Sequence, residues 1–333
     1  MKKSFTILSG LLISAVFAAS CKKDETANPL KNEFIIRTTS PMIVGQRIDF
    51  AYGAGSLNGG LSSMQVVASI PGDAGTGFET VTHRTVNAVD LTTTVATSSV
   101  TDGGASTAML IDTNATTLRY AYVIPEAARG KQVSFSFSAK NKAGNQASTQ
   151  TPAYTISKMD MARNITVVGT AAGARYFSIA DMKAYTQAEV DAGNLSAKID
   201  FVYAYAATVT PSTTAYTYGH SLVSPAASPA YFPNGFTLPS AWTKNSTLME
   251  KKTGTAVYDG QLKGDANISI YVADLDLQRQ TFDGSVNYAI TLANDGSVFM
   301  KTADGKYTAF IYVNSVTNAG STAVISLKRY QNQ

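Results

Sequence analysis

The side chains that most often carry chemistry are scarce in this chain of 333 residues: two histidines, His83 and His220, and one cysteine, Cys21. Gly219-His220-Ser221 reads like the opening of the strand–turn–helix elbow that exposes a nucleophilic serine. Val223 stands where the second glycine of that turn is required, and Pro225 and Pro229 oppose the helix that must follow. No histidine comes after His220 to serve as base. Zinc needs N or S ligands in tetrahedral array, and these three residues are too few. Asp274, Asp276 and Asp283 suit a hard cation, but an EF-hand loop counted from Asp274 puts Arg279 where glycine belongs. An irregular calcium loop stays open. Gly53-Ala54-Gly55 with Gly59-Gly60 lacks the following helix of a dinucleotide fingerprint and reads as a hairpin. No catalytic residue, metal or cofactor is therefore expected. Asp200, Asp259, Asp265 and Asp276 would revive an enzyme only if two of them faced each other across a cleft.

Cys21 invites a different chemistry. Lys2 and Lys3 precede an uncharged apolar run, Phe5 to Ala19, too short for a span of about 20 residues but suited to a signal peptide. A lone cysteine in an exported chain has no internal partner, and acylation explains it. Ala18-Ala19-Ser20-Cys21 resembles a bacterial lipobox, with Ala18 where Leu is commoner. Lys22-Lys23-Asp24-Glu25 resembles the export signal of Bacteroidota surface lipoproteins, or is simply a charged tether. The resemblance implies an outer-membrane, lipid-anchored protein exposed at the cell surface. Without Lys2 and Lys3 the net charge falls from +4 to +2, which is no electrostatic footprint for nucleic acid.

The elements that must position any site are mainly β. Residues 1–20 read as the signal peptide and 21–32 as a flexible tether. Short β-like runs follow at Phe34 to Thr38, Gln46 to Tyr52, Met64 to Ile70 and Leu118 to Ile124. Val133, Phe135, Phe137 and Ala139 alternate with polar residues, the period of a strand with one buried face. Asn141 to Asn145 turns the chain toward a partner strand in Ser148 to Ile156. Residues 33–157 thus read as an immunoglobulin-like β-sandwich.

The pattern pauses at Lys158 to Arg163, and residues 158–333 read as a second antiparallel β-rich domain with one or two short helices. Thr186 and Glu189 form a capping box, with Gly193 as the expected stop. Lys198 to Ala206 is apolar on both faces, which predicts a strand covered on both sides. Ile268 to Ala273, Val286 to Leu292, Val298 to Lys301, Tyr307 to Val316 and Thr322 to Tyr330 read as strands, with Asp304-Gly305 as a hairpin turn.

Residues 211–239 stand apart, with five of the ten prolines and many rings. A long irregular segment of this kind is a functional loop or a disordered one. Tyr216, Tyr218, Tyr231, Phe232 and Trp242 are the candidate ligand-binding residues, as a platform for sugar rings. The alternative is that these rings pack over the sheet.

Ala174 to Tyr205 and Val298 to Tyr330 resemble an uncharacterised domain of Bacteroidota surface lipoproteins. That resemblance implies a non-enzymatic accessory protein of nutrient uptake that binds a ligand, with a glycan as first choice. A structural or adhesive envelope protein whose partner is another protein is the rival.

Overall fold

The computed structural model describes residues 29–209, 216–252 and 258–332. Cys21, the signal segment and residues 21–28 of the expected tether lie outside them. The first strand, Leu30–Ile36, starts earlier than expected. Leu30 is buried in the core, so residues 30–32 are strand and not tether.

Two sheets pack face to face in the N-terminal unit. One orders Leu30–Ile36, Arg47–Ser56, Ala115–Val123 and Gly77–Phe78; the other orders Gln146–Gln150, Phe135–Asn141, Leu61–Ala68, Ala105–Leu110 and Ala96–Asp102. Rings from both fill one core, with Phe50 and Phe135 centroids 4.9 Å apart and Tyr122 and Phe135 5.0 Å apart. The alternating residues Val133, Phe135, Phe137 and Ala139 are all buried, although the run breaks into Gln132–Val133 and Phe135–Asn141. The turn beyond is tied by Asn141, whose Oδ1 accepts from the Asn145 amide at 2.8 Å. A hairpin, Val81–Val86 with Val89–Thr94, was not legible because every residue of its second strand is exposed and no alternation marks it. Asn87 and Ala88, at φ 49° and 62°, make its two-residue turn.

The C-terminal unit is layered. A third sheet orders Asp160–Val168, Thr322–Gln331, Tyr307–Thr317, Ser297–Lys301 and Leu248–Lys252. A fourth orders Lys183–Tyr185, Tyr176–Ser178, Phe201–Val209, Tyr216–Val223 and Tyr288–Leu292. Between them lie Phe177, Phe201, Tyr203, Met300, Ile311 and Leu327. Phe201–Val209 is central and its first four residues are buried, so both faces are covered there.

The first helix, α1 (Gln187–Gly193), carries the expected capping box: the Thr186 amide donates to Glu189 Oε2 at 2.7 Å and the Glu189 amide to Thr186 Oγ1 at 3.3 Å. Gly193 is its last helical residue; Asn194, at φ 51°, makes the left-handed turn instead. Two further short helices appear, α2 (Gly260–Lys263) and α3 (Asp274–Arg279).

Ile268 to Ala273 is not a strand. It runs irregularly between α2 and α3, and side chains take the place of a ladder. The Val272 amide donates to Asp259 Oδ2 at 2.8 Å, and its carbonyl accepts from Lys328 Nζ at 2.9 Å. The expected pause at 158–163 is also partly strand, because Asp160–Val168 pairs with Thr322–Gln331. The units touch there: Ile43 packs with Met159, Leu262, Val272 and Leu277 against the outer face of the third sheet.

Candidate functional site

Gly219-His220-Ser221 lies inside the strand Tyr216–Val223, where successive side chains point to opposite faces. No elbow forms. His220 is buried; Tyr203 Oη lies 2.6 Å from its Nδ1, Asn318 Oδ1 2.9 Å from its Nε2, and the Tyr205 ring stacks on it at 4.4 Å. Burial pulls its pKa down. Ser221 Oγ donates to the Tyr218 carbonyl at 3.2 Å. Gly219, at φ +65°, has Thr291 where a side chain would stand, 3.3 Å from an added Cβ.

The candidate rings whose side chains are described, Tyr218, Tyr231, Phe232 and Trp242, pack over the sheet. Part of the expected loop is strand, and Tyr216 and Tyr218 belong to it. Phe232 and Trp242 are buried against the outer face of the fourth sheet, and Tyr218 is buried beside Ala204 and Val209 of the neighbouring strand. Tyr218 Oη donates to the Tyr231 carbonyl at 2.7 Å, Tyr231 stacks on Tyr288 at 3.5 Å, and Phe232 stacks on Phe236 at 4.9 Å. Tyr218, Phe232 and Trp242 thus cover the sheet and remove apolar area from water, while Tyr231 is half-buried.

Each of the acids holds a partner within the protein. Asp200 is buried, accepts from the Ile179 amide at 2.7 Å, and is pushed up to about 7 by its burial. Asp259 pairs with Lys328 at 2.7 Å, both side chains fully buried. Asp265 holds the Asn267 amide at 3.0 Å, and Asp276 caps α3 through the Ala273 amide at 2.8 Å. Asp274 accepts from Ser157 Oγ and, at 2.9 Å, from the Lys158 amide, so it fastens the domain junction. Asp274 and Asp276 open a helix. Among the described residues no group of three or more His, Cys, Asp or Glu side chains is arranged to hold a metal ion.

A cleft of about 480 Å³ opens between the edge strand Leu248–Lys252 and the segment from Tyr258 to Asp283. Ile270 is 56 % exposed and Leu275 50 %, and both line it. With Val286 they are the large hydrophobic residues left exposed among the described residues of the C-terminal unit. Tyr258 and Tyr271 supply rings, and Tyr271 Oη is 3.3 Å from Thr39 Oγ1 of the N-terminal unit. Glu250 is engaged at both oxygens, by Lys252 Nζ and Gln280 Nε2. Arg279 also lines the cleft. The buried Asp259–Lys328 pair holds the Val272 backbone, and with it this wall. Sequence reasoning missed the cleft because Ile268 to Ala273 carries the residues of a strand.

Residues 157–332 match the family described as Domain of unknown function (DUF8576), and residues 27–156 the one described as Domain of unknown function (DUF4466). A crystal structure of a DUF4466 family protein from Parabacteroides merdae shares 36% identity and a TM-score of 0.81, over 92% of this chain and 99% of that one. The chain belongs to the DUF4466 family. The likeness spans both units, so the mainly antiparallel, two-domain β fold is the fold of this DUF4466 relative too. No curated protein matches. The major pilin subunit BcpA of Bacillus cereus (9% identity, TM-score 0.28, 57% of this chain and 64% of that one) is a faint likeness and carries no argument. The SrpA adhesin of Streptococcus sanguinis (14%, 0.23, 59% and 93%) is equally faint.

Proposed function

We propose that this DUF4466 protein is a non-enzymatic lipoprotein, anchored through Cys21 at the outer face of the outer membrane, that binds a glycan in the cleft of its C-terminal domain. The observation that carries this reading is the coincidence of Ile270, Leu275, Tyr258 and Tyr271 in one open cleft. Exposed apolar side chains that cluster mark interaction sites, and convergent polar groups orient a ligand. Arg279 and Lys252 are placed to hydrogen-bond hydroxyls. Glu250 and Asp276 already hold protein donors, which suits binding better than proton transfer. The N-terminal unit serves as an immunoglobulin-like spacer that also steadies Tyr271 through Thr39.

A glycan array tests the site. Saturable binding by the parent, lost in an Ile270→Ser/Leu275→Ser variant that still melts cooperatively, is the expected result. No binding to any glycan would hand the question to the adhesive reading, which the exposed Val86, Val89 and Leu91 of the hairpin Val81–Thr94 favour. For the anchor, labelled palmitate should enter the parent and not Cys21→Ser, and intact cells should expose the chain to added protease. Unlabelled parent protein would end the lipoprotein assignment.

A further inference from the structure

A second pocket, about 350 Å³, adjoins the cleft, and Glu250 and Asp283 line both. It lies over the seam where the edge strands of the third and fourth sheets meet, Leu248–Lys252 and Tyr288–Leu292. The seam is tied from both sides. The Met249 amide donates to the Val286 carbonyl at 2.8 Å, and Lys251 Nζ reaches the Ile290 and Thr291 carbonyls at 2.7 and 2.9 Å. Val286, 45 % exposed, lines this pocket as Ile270 and Leu275 line the first. Tyr288 lines it too, backed by the Tyr231 ring stacked at 3.5 Å.

We propose that the two pockets are successive subsites of one groove, and that its ligand is a linear oligosaccharide and not a single sugar. The inference rests on the glycan reading of the first cleft. An extended peptide is the other long ligand that fits such a groove, and it would ordinarily pair with the free edge of a strand. Here the Met249 amide and the Lys251 side chain already join the edge strand to its neighbour, so main-chain pairing is obstructed. Recognition is left to rings, apolar side chains and charged hydrogen-bonding groups. Tyr231, flagged by its sequence context as a contact, becomes a positioning residue for Tyr288.

Calorimetry on the full-length protein with α-1,4- and β-1,4-linked gluco-oligosaccharides of one, three and six units tests this. In the series that binds, the hexamer should bind about tenfold tighter than the monomer, the change that about 1.4 kcal/mol of added contact produces. Val286→Ser should remove most of that gain. Because Val286 is exposed, the variant should fold, and its melting curve checks this. Equal affinity at every length overturns the two-subsite groove while sparing the cleft. No binding at any length overturns both. Linear peptides selected from a displayed library, bound by the parent and lost in Val286→Ser while no sugar binds, overturn the oligosaccharide assignment.

Discussion

Trp242 donates its indole N–H to Asp191 Oδ1 at 2.7 Å and sets its ring edge-on to Tyr176, with centroids 4.9 Å apart. Asp191 lies in α1, so the bond ties the proline-rich loop to that capped helix, over the fourth sheet. Trp242→Ala should therefore lower stability by about 3–5 kcal/mol, the usual cost of deleting a large core ring. Asp191→Leu should cost about 1–3 kcal/mol by leaving the indole donor without its acceptor. Urea denaturation measures both. A loss below about 1 kcal/mol for Trp242→Ala would show that the ring is not core.

The Asp259–Lys328 pair is wholly buried and also holds the amides of Leu262 and Val272. Burial pulls the Lys328 pKa down, while Asp259 acts against that shift. Removing one partner strands the other charge, so Lys328→Met should cost about 3–5 kcal/mol. In Asp259→Asn/Lys328→Met the stranded charge is gone and the amide oxygen still accepts. A double-mutant cycle should show the pair of changes costing less than the two separate costs combined. Simple additivity would mean that the two side chains do not act on each other.

Asp200 should make the protein less stable as pH rises from about 4 to about 7. Burial is the main cause of its raised pKa, and the Ile179 amide opposes it. The unfolded chain releases the proton near its ordinary value, about 4, while the folded chain keeps it until near 7. Across that window the folded state binds more protons, and stability falls with pH by a few kcal/mol, at roughly 1.4 kcal/mol per unit. Asp200→Asn should flatten this slope in urea titrations at pH 4, 5.5 and 7. An unchanged slope would place the titration elsewhere.

The two histidines should titrate on opposite sides of 6.5. His83 sits between Glu79 at 2.5 Å and Asp90 at 2.9 Å; hydrogen bonds to these, Glu79 first, raise its pKa. The stability it adds is full below its unfolded value and is lost as pH rises through the folded one. His220 is lowered by burial, so its term is lost as pH falls below about 6.5. NMR titration of the imidazole resonances separates them. Glu79→Gln should bring His83 back toward its ordinary value and leave His220 in place. A His83 value at or below 6.5 in the parent would contradict the geometry.

Local rules made much of the fold legible. The alternation from Val133 to Ala139, the box at Thr186 and Glu189, the doubly apolar Phe201 to Ala204 and the closing strands are written in neighbouring residues, and period and capping act over a few positions. The hairpin Val81–Thr94 was illegible because neither of its faces is fully buried, and alternation records only a difference between faces.

The sequence by itself determined a mainly antiparallel β chain in two units and left no constellation with the spacing of a known catalyst. Only tertiary structure decided what the polar and aromatic residues do. Ile268 to Ala273 lost its strand because Asp259 and Lys328, 13 and 56 residues from Val272, supplied its backbone partners. The same contacts opened the cleft beside it. Trp242 went inward because Asp191, 51 residues earlier, accepts its N–H. Burial and hydrogen bonding depend on what the chain brings together from afar, and no local pattern records that.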